Sequence, residues 1–285
     1  MTNSSMPSDP AVRLVVVAYN SRPVLGAFFD SLATAGVDDL EVVVVDNHSA
    51  DPPRQDELPG YGRLIIAEKN LGYGGAANLG LAGATAPWLV VANPDVVWEP
   101  DSLARLIERA EAWPRAGVVG PAVIDTDGTV YPSAREFPSL TSGVGHALLA
   151  KVWPQNPWTR RYHSATDPTE RRTDWLSGSC LVLRREAFES VGGFDDGYFM
   201  FFEDVDICDR LSKAGWSSVY LPAARVRHDQ GHSWRKRPEA MLRAHHNSAY
   251  RYLARKYSGW YFAPVRLALR LGLGLRLRLE LRGSA

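Results

Sequence analysis

Two acidic patches, far apart in the chain, carry the residue types best suited to chemistry. The first is Asn93-Pro94-Asp95, which follows the apolar run Trp88–Ala92. Pro94 has no backbone donor and takes the chain out of a sheet, so Asp95 falls just past the carboxyl end of a strand. In open α/β sheets ligands bind along that edge. A carboxylate held there suits a hard divalent cation bridging phosphate oxygens, and equally suits a turn or a helix cap. The second patch is Glu203-Asp204-Val205-Asp206, entered from the aromatic run Tyr198–Phe202. Acids in the first turn of a helix are stabilised by its dipole whatever their function. Here the aromatic neighbours desolvate at least one of them. Burial and adjacent negative charge both raise a carboxyl pKa, which suits a general base. Consecutive helical residues point about 100° apart, so Glu203 and Asp204 cannot share one task. A third cluster joins His228, His232 and Ser233 to Arg235, Lys236 and Arg237. A lone His is usually structural; one near a strand end and followed by cations also fits a metal or diphosphate site.

These residues need elements to place them. Val12–Ala18, Leu40–Val45, Arg63–Ala67 and Trp88–Ala92 read as buried strands, each ending in polar residues: Tyr19-Asn20, Asp46-Asn47, Asn70 and Asn93. Helical spacing of Leu25, Phe28, Phe29 and Leu32 lies between the first two strands, with Ser21 as a plausible N-cap and Gly36 as the stop. The stretch Leu71–Gly80 is a Gly-rich turn feeding a small-residue helix. Its glycines permit a tight turn and close approach of backbone to a nucleotide, and they match neither a dinucleotide fingerprint nor a phosphate loop in position. This alternation predicts a mostly parallel sheet covered by helices, α/β in class, with the polar strand ends converging on one edge. There Asp46 suits a base N–H or a ribose hydroxyl.

Further on, Pro100–Ala110 reads as a helix, Gly117–Ile124 as a strand and Asp127-Gly128 as a hairpin turn. From Tyr131 to Arg172 five prolines interrupt an irregular segment bearing Trp153, Trp158 and Tyr162, read as a cover for the site. Asp174–Leu183 reads as one strand, Arg185–Val191 as a short helix, the acidic patch as the start of another helix ending at Gly215, and Ser218–Leu221 as a last strand. Pro238–Phe262 reads helical and basic. The tail places an apolar residue, mostly Leu, at every odd position from Val265 to Leu281, with Arg266, Arg270, Arg276, Arg278 and Arg282 at even ones. Alternation is a strand period, yet Leu and Arg favour helices. The tail therefore suits an anionic membrane surface, the protein's own core or a second subunit.

Composition bounds the reading. The 285 residues carry 32 basic and 32 acidic side chains, so no net field favours nucleic acid. Two cysteines, Cys180 and Cys208, point to a reducing compartment and make no zinc pattern. Met1–Pro10 is polar, without a signal core, and no window is apolar for long enough to span a membrane. A cytoplasmic protein is expected, with a disordered stretch at 1–10.

Taken together, Val15–Ser21, Val44–Asn47, Asn70–Asn78, Asn93–Asp95, Trp175–Ser179 and Phe202–Asp206 resemble the family 2 glycosyltransferases, most of all the bacterial rhamnosyltransferases of cell-wall and polysaccharide assembly. The resemblance covers residues 12 to 235. It implies a GT-A fold, with a nucleotide-sugar half at 11–125, an acceptor half at 126–235 and a helical basic extension at 236–285. It implies donor contacts from Ala18, Tyr19, Asn20, Asp46, Asn47, Asn70, Gly74, Gly75, Asn78, Asn93 and Asp95. It makes Asp204 the base beside Glu203, Trp175, Gly178 and Phe202 the acceptor wall, and Asp95 with His228 the holders of Mg²⁺ or Mn²⁺. Asn93 stands where the family motif carries its first acid, which leaves one charge fewer on the metal. The implied reaction inverts the sugar: L-rhamnose leaves dTDP-L-rhamnose for a polyprenyl-diphosphate-linked N-acetylglucosamine, at the inner face of the membrane. A UDP-hexose donor, a dehydrogenase built on a dinucleotide fold and a non-catalytic sugar-binding module are the rivals.

Overall fold

The structure is a computed structural model that describes residues 10–139, 167–228 and 238–283. Most of the expected disordered N-terminus, the aromatics Trp153, Trp158 and Tyr162, and the cluster His232 to Arg237 lie outside the described residues.

Twelve strands appear among them. They are β1 (Val12–Ala18), β2 (Leu40–Asp46), β3 (Gly62–Ile66), β4 (Trp88–Ala92), β5 (Val96–Trp98), β6 (Ala116–Ile124), β7 (Val130–Tyr131), β8 (Ala134–Arg135), β9 (Arg171–Thr173), β10 (Trp175–Leu176), β11 (Cys180–Arg184) and β12 (Ser217–His228). The helices are α1 (Leu25–Leu32), α2 (Gly72–Leu81), α3 (Ser102–Glu111), α4 (Arg185–Ser190), α5 (Glu203–Lys213), α6 (Pro238–Lys256) and α7 (Ala263–Gly283).

One sheet runs in the order β3-β2-β1-β4-β11-β6-β12-β5, with β7 beside β6 and β9 beside β12. Strands β3, β2, β1 and β4 are parallel. Strand β11 then runs antiparallel to both β4 and β6, and β12 is parallel to β6. The sheet is therefore mixed. The strand order reverses between β1 and β4, and their carboxyl ends form the crevice where such sheets take ligands.

Alternation along the strands divides the core between two faces. Leu14, Val16, Val42 and Val44 pack with α1 and α3 residues such as Phe28 and Leu106. Val15, Val17, Val43 and Val45 pack with α2, α4 and α5 residues such as Ala77, Phe188 and Ile207. With both faces covered, β1 and β2 are buried at every position and read as unbroken apolar runs. Helix α2 sits close on the sheet because Gly80 lacks a side chain: a Cβ there would meet Val15 Cγ1 at 2.6 Å.

Two sequence expectations change. Asp174–Leu183 is two strands, not one: β10 pairs with β8 in a small second sheet, while β11 joins the main sheet. The Ser177-Gly178-Ser179 break between them lets the chain leave one sheet for the other. Ser21 does not cap a helix; its Oγ accepts the Tyr19 N–H at 2.9 Å and tightens the turn after β1. The tail is helical, as α7, in keeping with the helical C-terminal extension expected there.

Candidate active site

The four strand ends do meet on one edge. Asp46 closes β2, opposite Ala18 of β1, and is fully buried. Its Oδ2 accepts the Ser49 N–H at 2.9 Å, while Oδ1 is buried with no partner. A buried carboxylate oxygen left unmatched is costly. The structure therefore offers one unanswered acceptor at the crevice. The loops beside it are bonded together: Asn20 N–H donates to Ser49 Oγ at 2.8 Å, and Ala50 N–H donates to Asn20 Oδ1 at 3.0 Å. Asn20 and His48 both take positive φ to make those turns.

Other residues expected to touch the donor are occupied within the chain. Asn47 donates to Asn70 Oδ1 and the Gly72 carbonyl, both at 3.1 Å, and accepts from Leu71 N–H at 2.7 Å. It ties the end of β2 to the start of α2. Asn70 also accepts the Gly72 N–H at 3.0 Å. Asn78 donates to the Phe194 carbonyl and Asp196 and accepts from Phe194 N–H, each at 2.9 Å. The glycines of this stretch approach the chain itself. Gly72, at φ +76°, would place a Cβ 2.3 Å from the Phe199 carbonyl oxygen, and a Cβ on Gly74 would lie 3.0 Å from Phe194. A Cβ on Gly75 would lie 3.2 Å from Leu71. The glycine-rich stretch thus seats the loop that leads into the second acidic patch.

At the end of β4, Asn93 and Asp95 meet His228, the last residue of β12. His228 Nε2 lies 3.1 Å from both Asp95 Oδ1 and Asn93 Nδ2. Pairing of β12 with β5 sets His228 opposite Val96, and this delivers a residue 133 positions away in sequence to Asp95. The ring nitrogen and the carboxylate face each other, with 11% and 12% of their side chains exposed. One carboxylate and one imidazole suit a Mg²⁺ or Mn²⁺ ion that takes its remaining ligands from phosphate and water. No group of three or more acidic, His or Cys side chains that could hold a metal occurs among the described residues.

The second patch opens α5. Phe201 and Phe202 both sit at positive φ, 65° and 67°, a conformation that bulky residues adopt at a cost. This kink turns Glu203 and Asp204 in different directions. Asp204 Oδ2 accepts the Gly178 N–H at 2.9 Å, and Oδ1 accepts the Val205 N–H at 2.8 Å. Burial raises its pKa against the lowering effect of those two bonds. Glu203 is 6% exposed, with Oε2 unpartnered, and it lies against Gly74 of α2. Burial first, then the Asp204 charge, pushes its pKa up to about 8. Near neutral pH Glu203 therefore holds its proton.

The two patches flank one short turn. Asn93 N–H donates to the Ser179 carbonyl at 2.9 Å, and the adjacent Gly178 N–H binds Asp204. Tyr73 OH donates to the Gly178 carbonyl at 2.7 Å, and its pKa is driven well up by burial with added repulsion from Glu203, Asp204 and Asp95. Asp95 and Asp204 thus share one region of the molecule. Trp175, held by its Nε1–H to the Glu136 carbonyl at 3.0 Å, stands beside it with Arg135 stacked 5.4 Å away. Phe202 faces α6, against His245 and Tyr252. Tyr73, Ser179, Arg135 and Tyr252 were missed by the sequence reading. Tyr73 had a signal, lying inside the Gly-rich stretch; Arg135 and Tyr252 had none. A separate cavity of about 450 Å³, lined by Arg22, Phe29, Asp51 and Glu57, shares no residue with this region.

The mixed sheet thus carries its polar edge at a strand-order reversal, with the carboxylates of Asp95 and Asp204 on either side of one turn. The profile of Glycosyl transferase family 2 matches residues 14–192, and that of Glycosyl transferase family group 2 matches residues 155–275. The chain belongs to glycosyl transferase family 2. It is 47% identical, over 95% of its length and 93% of the relative's, to N-acetylglucosaminyl-diphospho-decaprenol L-rhamnosyltransferase of Mycobacterium tuberculosis. It is 28% identical to the rhamnosyltransferase WbbL of Escherichia coli, covering 86% of this chain and 93% of that one. Among solved structures, the Pyrobaculum calidifontis mannosyltransferase PcManGT, in complex with GDP-Man and Mn²⁺, superposes with TM-score 0.60 at 18% identity, over 95% of this chain and 72% of that one. GalNAc-T7 with UDP, GalNAc and Mn²⁺ gives 0.54 at 18%, over 78% and 44%. These two likenesses concern the fold, which is the GT-A type expected from the sequence.

Proposed function

We propose that the chain is an inverting rhamnosyltransferase. It moves L-rhamnose from dTDP-L-rhamnose to a hydroxyl of a polyprenyl-diphosphate-linked N-acetylglucosamine, at the cytoplasmic face of the membrane where a cell-wall linker is assembled. The observation that carries this reading is the near full-length 47% identity to a relative named for that transfer.

In this reading residues 11–125 bind the donor and residues 126–235 the acceptor. The unpartnered Asp46 Oδ1 accepts an N–H of the thymine ring once the bonded loops at Asn20 and Ser49 part. Asp95 and His228 are the residues that would hold Mg²⁺ or Mn²⁺, whose charge offsets that building on the leaving diphosphate. Asp204 accepts the proton of the acceptor hydroxyl as its oxygen attacks the anomeric carbon on the face opposite the diphosphate. One displacement inverts that carbon. Gly178 N–H and Val205 N–H orient the carboxylate. Glu203, protonated, adds no second negative charge near the donor. Trp175 offers a flat apolar face to a sugar ring.

The test is transfer by purified protein, with dTDP-L-rhamnose and UDP-hexoses offered in parallel and a polyprenyl-diphosphate N-acetylglucosamine as acceptor. The reading expects product only with dTDP-L-rhamnose. Product with a UDP-hexose alone overturns the donor assignment, and NAD binding without dTDP binding overturns the class.

A further inference from the structure

We infer that α7 is a docking helix for an anionic lipid bilayer, lying along the surface with Leu267, Leu271, Leu275 and Leu279 toward the acyl chains. The inference uses the proposed reading only through its lipid-linked acceptor.

In a helix, residues two apart point about 200° from each other, so a strict odd-position pattern makes two stripes on opposite sides. The stripe Val265, Leu269, Leu273, Leu277 and Leu281 is half-buried. Helix α7 packs on α6, where Glu280 lies 3.6 Å from His246. The opposite stripe, Leu267, Leu271, Leu275 and Leu279, is 59% to 65% exposed. An apolar row of that length on the surface marks an interaction site. At its amino end Trp260 and Tyr261 are also exposed, the residue types favoured at a headgroup boundary.

Charge selects the occupant. Arg270, Arg276, Arg278 and Arg282 are exposed along the same helix, and Glu280 is its one acid. A second copy meeting this face would oppose cations to cations, whereas anionic headgroups complement them. Crossing the bilayer is ruled out, since no helix among the described residues is long and apolar enough. A surface helix with Leu below and Arg at the headgroups remains. Packing continues inward: His245 of α6 meets the rings of Phe201 and Phe202, directly before Glu203. Helix α6 therefore lies between the docked helix and that turn, touching both.

The test is sedimentation of the full chain with vesicles of phosphatidylglycerol and phosphatidylcholine, against phosphatidylcholine alone. Binding to the anionic vesicles is expected, with at least about tenfold weaker binding for Leu271→Glu/Leu275→Glu, for Arg278→Gln/Arg282→Gln, and for the wild type at high salt. Unchanged thermal unfolding checks that the variants fold. The Leu double variant should keep transfer to a short-chain, water-soluble acceptor and lose about tenfold or more on a long-chain acceptor in vesicles. No binding to anionic vesicles, or equal binding by the Leu variant, overturns the inference. So does a dimer in light scattering that the Leu variant abolishes while vesicles are not bound. Vesicle binding by a protein that transfers rhamnose to neither acceptor would leave the inference standing and overturn the proposed function.

Discussion

Glu203 and Asp204 are neighbours with opposite fates. The αL kink at Phe201 and Phe202 sends Glu203 under α2, where nothing pairs with Oε2, and sends Asp204 to the Gly178 N–H. Asp204→Asn keeps both shape and size. It should bind dTDP-rhamnose as the wild type does and lose about 10²-fold or more in turnover, read by calorimetry alongside rate measurement. Because the Asp204 pKa is raised, wild-type activity should fall as pH drops into the range just above ordinary carboxylate values. The missing limb in a pH–rate profile would count against it as base. Glu203 bears on stability. Its folded pKa of about 8 lies above the unfolded value of 4.5, so the native state holds the extra proton between the two. That contribution is complete below pH 4.5 and is lost as pH rises toward 8. Glu203→Gln mimics the protonated form and should flatten the fall in unfolding free energy over that window, measured by denaturant titration at several pH values, by an amount on the order of a few kcal/mol.

At the scale of elements, α2 matters through what it lacks. Gly72 occupies positive φ, and any side chain there drives into the Phe199 carbonyl, whose oxygen also accepts the Tyr73 N–H at 3.0 Å. Gly72→Ala should cost about 2 kcal/mol or more and detach the 194–202 loop, seen as a lower unfolding temperature with activity lost in parallel. Asn78 anchors the far side of that loop. The glycines and asparagines of this stretch thus connect the strand edge to the turn that carries Asp204. The glycines expected to allow close backbone approach do so within the protein itself, Gly72 against Phe199 and Gly74 against Phe194.

Across the whole molecule, two helix-covered faces make β1, β2 and β4 the most protected part of the chain. Their amides should exchange slowest, close to the global unfolding limit, while those of α7 exchange early in the absence of lipid. Hydrogen exchange resolved by segment would show it. The same sheet explains why distant residues meet. The antiparallel insertion of β11 beside β4 brings Ser179 to Asn93, and the β12–β5 pairing brings His228 to Asp95.

By itself the sequence determined the elements and the residue types: buried strands with polar ends, the carboxylates Asp46, Asp95 and Asp204, and the alternation of the tail. Periodicity and proline positions are local signals, and local sterics and burial enforce them. The tertiary structure alone decided pairings between residues distant in the chain. It split Asp174–Leu183 between two sheets, occupied Asn47, Asn70 and Asn78 with internal hydrogen bonds, and separated Glu203 from Asp204. Along the helical tail it half-buried one apolar row and left the other exposed, because burial depends on what packs against each side of a helix and not on the alternation itself.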